Sequence, residues 1–284
     1  MVMLELFSSS RMAWLFLCVA VGCISALVFL RAIAVSQYFK VPRWRDHLAP
    51  VHLLVVLGSG GHTAEMFSML RRMRVEPTKW THRTYVVSTG DAFSAIKAVE
   101  FESALIEHGA SPESYTIVTV PRARSVHQSY LTAPFTTLLS FWSCLLVLRG
   151  LHPDQAKHKL PETFDSPYPD IVLTNGPATA VCIILAARLI RFLEYCMSCM
   201  FFARMHPRAV TTGTDAANRI APPSAKFRFR TIFIESWARV TTLSLSGKIL
   251  LPFADRFLVQ WPALGGKKAW VGKKKAEYVG FLVE

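Results

Sequence analysis

Acidic residues are scarce in this chain. Its 284 residues carry 19 Asp and Glu against 32 Lys and Arg, and the resulting net charge of +13 implies an anionic partner. Charge of either sign is thin, at 18% against 52% hydrophobic residues, which excludes an intrinsically disordered polymer. Cysteine is thin as well, with six in all, which excludes a disulfide-stapled secreted module. Cys18 and Cys23 lie in one apolar run, and Cys144, Cys182, Cys196 and Cys199 are scattered through others, as in a reducing compartment. Cys196 and Cys199 have the spacing of half a metal site, but no second cysteine pair or nearby His pair completes it, so they read as packed thiols.

One long stretch lacks charge altogether. Met12 to Leu30 would form a helix about 28 Å long, roughly one hydrocarbon core. A cleaved signal peptide fits poorly, because such peptides have a shorter apolar region after a basic segment and before a small-residue cleavage site. Glu5 and Arg11 precede the run, whereas Arg31, Lys40, Arg43 and Arg45 follow it, which puts the C-terminal side in the cytosol. Residues 1–45 are therefore expected to be a single-pass anchor with a basic flank, and residues 46–284 a cytosolic domain. Beside a membrane, the excess positive charge suits anionic headgroups or a phosphate-bearing lipid better than nucleic acid.

Short apolar runs alternate with helical patterns over the rest of the chain. Val51–Leu57, Tyr85–Ser88, Thr116–Val120, Asp170–Thr174, Thr231–Glu235 and Arg256–Trp261 read as strands. Helices are expected from Thr63, over Ala92–His108 and Tyr130–Arg149, from near Pro177, and over Leu245–Ala254. The fold class is α/β, a Rossmann-like doubly wound parallel sheet that binds ligands beyond the carboxyl ends of its strands. Leu131–Leu148 is apolar enough to span a bilayer, yet it falls between two strands of one sheet and reads as a buried crossover or a membrane-surface helix. Residues 204–226, broken by Pro207, Pro222 and Pro223, read as a mobile insertion.

Gly58, Ser59, Gly60 and Gly61 follow the first strand and open a helix, where backbone N–H groups and the helix dipole favour an anion. Thr63 stands where a dinucleotide fingerprint needs its third glycine, and the Lys-Ser/Thr of a Walker loop is absent. The glycines could equally serve close packing of helix on strand. His62 at the mouth of this loop is suited to taking a proton from a sugar hydroxyl, or is a capping or core histidine. Asn175, Gly176 and Pro177 repeat the strand-end geometry, and Glu235 and Ser236 end the next strand. Glu235 is a candidate to orient His62 or to bind a sugar hydroxyl.

The stretches Leu53–Met66, Pro121–Tyr130, Asp170–Pro177, Phe233–Ser236, Leu243–Lys248 and Val259–Pro262 together resemble one family. It is the membrane-anchored subunits of the two-subunit UDP-N-acetylglucosamine transferase that adds the second sugar to the dolichol-linked oligosaccharide. Ala178 departs from the glycine usual after Gly-Pro, and residues 204–226 have no counterpart. The resemblance implies the acceptor half of a GT-B, metal-independent, inverting glycosyltransferase at the endoplasmic reticulum membrane. A soluble catalytic subunit would hold UDP-GlcNAc. Here Gly58, Ser59, Gly60, Gly61, Thr63, Asn175, Gly176 and Ser236 would face the acceptor, GlcNAc-diphosphodolichol, with His62 and Glu235 catalytic and no cofactor. It also implies partner docking at the C-terminal Phe281, Leu282 and Val283. The competing expectations are a pure membrane scaffold, whose glycine loops are architectural, and a subunit acting on a polyprenyl-linked exopolysaccharide.

Overall fold

The computed structural model describes residues 2–35, 50–73, 75–76, 79–124, 128–129, 131–156, 160–161, 164, 166–176, 178–205 and 230–283. The proposed insertion at 204–226 lies almost wholly outside these residues, as do Lys40, Arg43 and Arg45 of the basic flank. Residues 1–39 and 40–284 form separate compact units. In the first, α1 (Val2–Val35) is long and apolar enough over Phe16–Ala34 to cross a membrane, and Trp14, Phe16, Leu17, Ile24 and Leu27 are exposed along it. Such side chains need an apolar surrounding.

Among the described residues, the second unit is built on seven parallel strands, β1 (His52–Val56), β2 (His82–Ser88), β3 (Tyr115–Val120), β4 (Ile171–Asn175), β5 (Arg230–Ile234), β6 (Arg256–Val259) and β7 (Glu277–Tyr278). Their order in the sheet is β3-β2-β1-β4-β5-β6-β7. β1 is buried at every residue because both faces are covered, so its sequence is a continuous apolar run rather than an alternation. The helices are α2 (Gly61–Arg72), α3 (Ala92–Glu107), α4 (Ala133–Leu148), α5 (Pro153–Ala156), α6 (Ala178–Met205) and α7 (Leu245–Leu250). Leu53, Val55, Leu57, Met66, Phe67, Leu70 and Tyr85 lie in one buried cluster between the sheet and its covering helices.

The alternation of strand and helix from β1 to β6 thus follows the sequence, α5 and β7 are elements beyond those expected, and differences at the ends of the others have local causes. α7 stops at Leu250 because Pro252 lacks the N–H that another turn would need. β2 begins at His82, three residues earlier than its apolar run, because the charge of Arg83 is matched inside the fold. Its guanidinium bonds both Glu102 oxygens from α3, Nε to Oε1 at 2.6 Å and Nη2 to Oε2 at 2.8 Å. α4 has 16 residues, lies in the stretch Ala133–Ala156 that by length and composition is also apolar enough to cross a membrane, and packs one side against α6. Its other side leaves Phe135, Leu138, Leu139 and Trp142 more than half exposed.

Candidate functional site

The strand order reverses between β1 and β4, the point at which sheets of this kind form a ligand crevice at the strands' carboxyl ends. The loop Gly58–Gly61 leaves β1 there, and Gly176 leaves β4. Gly60 has φ +61°, a left-handed conformation that side chains rarely adopt, and it turns the chain directly into α2. No side chain caps this helix, so its first turn presents backbone N–H groups at the crevice. Ser59, Gly60 and Gly61 are exposed. Thr63 is fully buried, and its hydroxyl donates to the Gly58 carbonyl. It also lies 2.6 Å from Ser94 Oγ, which donates to Asp91 Oδ2 at 2.6 Å. Thr63 therefore fixes the loop from beneath rather than reaching a ligand.

His62 lies across the crevice on Gly176. A Cβ at Gly176 would stand 2.7 Å from His62 Cγ, and Gly176 also has φ +75°. Two independent constraints thus require glycine there. The carboxylate beside His62 is Glu65, one helical turn on, with Nδ1 3.7 Å from Oε2. That distance makes an electrostatic contact rather than a formed hydrogen bond. Glu235 is elsewhere. Its Oε2 accepts the main-chain N–H and the hydroxyl of Ser244, each at 3.1 Å, and its carboxylate leaves no room for a side chain at Gly247. Burial, only partly offset by these bonds, raises the Glu235 carboxyl above its ordinary value. Glu65, and not Glu235 as expected, is therefore the carboxylate that lies beside His62.

Glu65 collects the ends of three further strands. Its Oε1 accepts the Trp237 main-chain N–H, after β5, at 2.6 Å and Gln260 Nε2, after β6, at 2.9 Å. Its Oε2 accepts Asn175 Nδ2, at the end of β4, at 3.4 Å. Burial alone would raise this carboxyl, but the adjacent His62 imidazole and the donors of Trp237, Ser236 and Gln260 outweigh it and hold the group below its ordinary value. Glu65 is ionised at neutral pH. The sequence reading passed over it, although its i, i+3 spacing from His62 on a helix was a usable signal. Asn175 Nδ2 also donates to the His62 carbonyl at 3.0 Å, while its Oδ1 is buried with no hydrogen-bond partner. A buried orphan acceptor is costly, and here it adjoins a crevice where a ligand hydroxyl or amide could supply the donor.

The C-terminal tail follows β7 along the same edge of the sheet. Leu282 and Val283 pack against the buried cluster. Phe281 instead stays exposed, its ring edge-on to Trp261 with centroids 5.0 Å apart. Among the described residues, no group of three or more His, Cys, Asp or Glu could hold a metal ion.

Residues 53–282 match the family described as "Oligosaccharide biosynthesis protein Alg14 like". The UDP-N-acetylglucosamine transferase subunit alg14 of Aspergillus fumigatus is 55% identical over 231 residues, covering 77% of this chain and 100% of that protein. The subunits so named in Schizosaccharomyces pombe and Homo sapiens are 36% and 31% identical, covering 81% and 95% of this chain and 83% and 98% of theirs. No solved structure matches the chain.

Proposed function

The chain belongs to the Alg14-like family of oligosaccharide biosynthesis proteins, and from that premise we propose that it presents the lipid-linked acceptor in a two-subunit UDP-GlcNAc transferase. The observation that carries this reading is the meeting of two strand-to-helix turns, the uncapped one at Gly60 and a second at Gly176, with the His62–Glu65 pair. Two helix N-termini aimed at one crevice suit a diphosphate, and an ionised carboxylate behind an imidazole suits removal of a proton. A single Rossmann-like sheet leaves the nucleotide sugar to a second, soluble subunit. α1 would retain the acceptor site beside the endoplasmic reticulum membrane, with the domain in the cytosol, and the tail at Phe281, Leu282 and Val283 would recruit the partner.

In this mechanism Gly58 to Gly61 and Gly176 hold the diphosphate of GlcNAc-diphosphodolichol, and Asn175 and Ser236 contact its sugar. Glu65 favours the tautomer with hydrogen on Nδ1, which leaves His62 Nε2 to accept a proton. The acceptor's 4-oxygen attacks the anomeric carbon of UDP-GlcNAc as its proton passes to Nε2. The bond from that carbon to the UDP oxygen breaks, its electron pair leaves with UDP, and the configuration inverts. Glu235, bonded to Ser244 and Ser236, shapes the loop after β5.

The experiment is His62→Ala in the full chain, coexpressed with its catalytic partner. Transfer should fall by about a hundredfold or more while the partner still co-purifies. Full transfer with intact recruitment would leave a membrane scaffold as the surviving reading.

A further inference from the structure

Gln260 stands where β6 ends, almost wholly buried, and its amide faces in two directions. Nε2 donates to Glu65 Oε1 at 2.9 Å and to the Glu235 carbonyl at 3.3 Å. Oε1 accepts the main-chain N–H of Leu282, in the tail, at 3.0 Å. This orientation is unambiguous, since a carboxylate and a carbonyl only accept and a main-chain N–H only donates. A flipped amide would lose all three bonds. A second route joins the same places, for Phe281 rests edge-on to Trp261, and Trp261 Nε1 donates to the Trp237 carbonyl at 2.7 Å. The Trp237 N–H in turn donates to the same Oε1 of Glu65.

We propose that Gln260 is a positioning residue that couples the seat of the C-terminal tail to the Glu65 carboxylate. Docking of the nucleotide-sugar subunit on the tail and readiness of the acceptor crevice then belong to one equilibrium. The inference rests on the function proposed above. A tail fixed by a partner fixes the Leu282 N–H, and through it the amide that aims Glu65 at His62. The 3.7 Å gap between Glu65 and His62 is then within a small side-chain adjustment of a hydrogen bond. Because coupling between two binding sites is reciprocal, bound acceptor must strengthen partner binding by the factor by which the partner strengthens acceptor binding.

The test measures affinity of the detergent-solubilised full chain for the purified catalytic subunit, with and without GlcNAc-diphosphate on a short isoprenoid. In the wild type the acceptor should raise partner affinity on the order of fivefold or more. Gln260→Met, which keeps the volume and removes all three bonds, should bring that factor to about one. It should also lower kcat with the KM for UDP-GlcNAc unchanged. Leu282→Pro removes the tail's donor at this link together with the leucine's packing on the core, and lies outside the sheet; read against Leu282→Ala, which removes the packing and keeps the N–H, it decides the matter if Gln260→Met does not fold. Joining Gln260→Met and Leu282→Pro should add no further loss of coupling. A wild-type factor retained in either of these two variants, when folded, overturns the proposal. A wild-type chain that neither binds the partner nor supports transfer overturns the function on which it rests.

Discussion

His62 covers Gly176 so closely that a methyl group at position 176 would fall within 2.7 Å of the imidazole ring. The two residues are far apart in sequence and meet because β1 and β4 are adjacent at the centre of the sheet. Gly176→Ala must therefore displace the ring, and it also places a side chain at φ +75°, at a cost of about 1–2 kcal/mol. His62 is partly exposed, so displacing its ring does not disturb the core and the fold should survive. Transfer should drop tenfold or more with only a few degrees' loss in Tm. Transfer at the wild-type rate would show that the ring's position is immaterial.

A second prediction concerns the ion pair inside the fold. Arg83 and Glu102 have no exposed surface, and Glu102 Oε1 also accepts the Tyr85 hydroxyl at 2.6 Å. Removing one member leaves the other charge buried and unpaired, so Glu102→Ala should cost about 3–5 kcal/mol in denaturant unfolding. Combining it with Arg83→Met should recover much of that loss, though Tyr85 and Ser114 lose a partner. If the double variant is no better than Glu102→Ala, the unpaired charge is not the cause.

This pair marks one limit of what the sequence could convey. The central strands were legible because burial on both faces writes a continuous apolar run, and the Gly60 turn because only glycine takes that backbone readily. Arg83 broke the pattern in β2, since nothing local in the sequence shows that Glu102, on the next helix, will neutralise it. Glu65 was hidden for the same reason, as three of its partners, Asn175, Trp237 and Gln260, come from other strand ends. Glu235, at a strand end and therefore conspicuous, proved to bond its own loop. Local pattern identifies strands and turns, but pairing of polar groups across the sheet is set by topology.

Acid stability gives a third test. His52 is buried on β1, with Nε2 2.9 Å from Thr84 Oγ1 and its ring edge-on to His82 at 5.1 Å. Burial, and then the neighbouring His82, push its pKa well below 6.5. The unfolded chain takes up a proton at this residue below about pH 6.5, whereas the folded chain does not until its lower pKa is reached. Stability from this group is thus complete above about pH 6.5 and falls by about 1.4 kcal/mol per pH unit below it, until the folded pKa is passed. Melting curves between pH 7.5 and 5 should show the decline, and His52→Gln should flatten it. Parallel declines in both proteins would assign the acid sensitivity elsewhere.

The fourth concerns the membrane. Deleting residues 1–45 should release the chain from membranes under high salt and carbonate, because a spanning helix anchors far more strongly than a surface patch. Weak binding to anionic vesicles at low salt should persist through the exposed side of α4. Replacing Phe135, Leu138 and Trp142 by Gln in the shortened chain should abolish it, as these residues touch little of the fold. Retention of the shortened chain after carbonate washing would show a second firm attachment.

The last prediction separates a ligand-binding loop from an architectural one. Gly60 cannot do so, since its φ of +61° makes any substitution strained whether or not a ligand binds. Gly61 can. It is the first residue of α2, its φ is not in the left-handed region, and a Cβ built on it meets nothing within 4 Å. Gly61→Ala therefore brings neither clash nor backbone strain, and alanine's smaller loss of chain entropy should leave stability unchanged or raise it by up to about 1 kcal/mol. If the loop only lets helix pack on strand, that substitution is silent. If the acceptor diphosphate sits against the backbone of this turn, the methyl group stands in the space the phosphate needs. The KM for GlcNAc-diphosphodolichol should then rise tenfold or more, with partner recruitment and Tm maintained. An unchanged KM in a folded, partner-bound variant would move the diphosphate away from the first turn of α2.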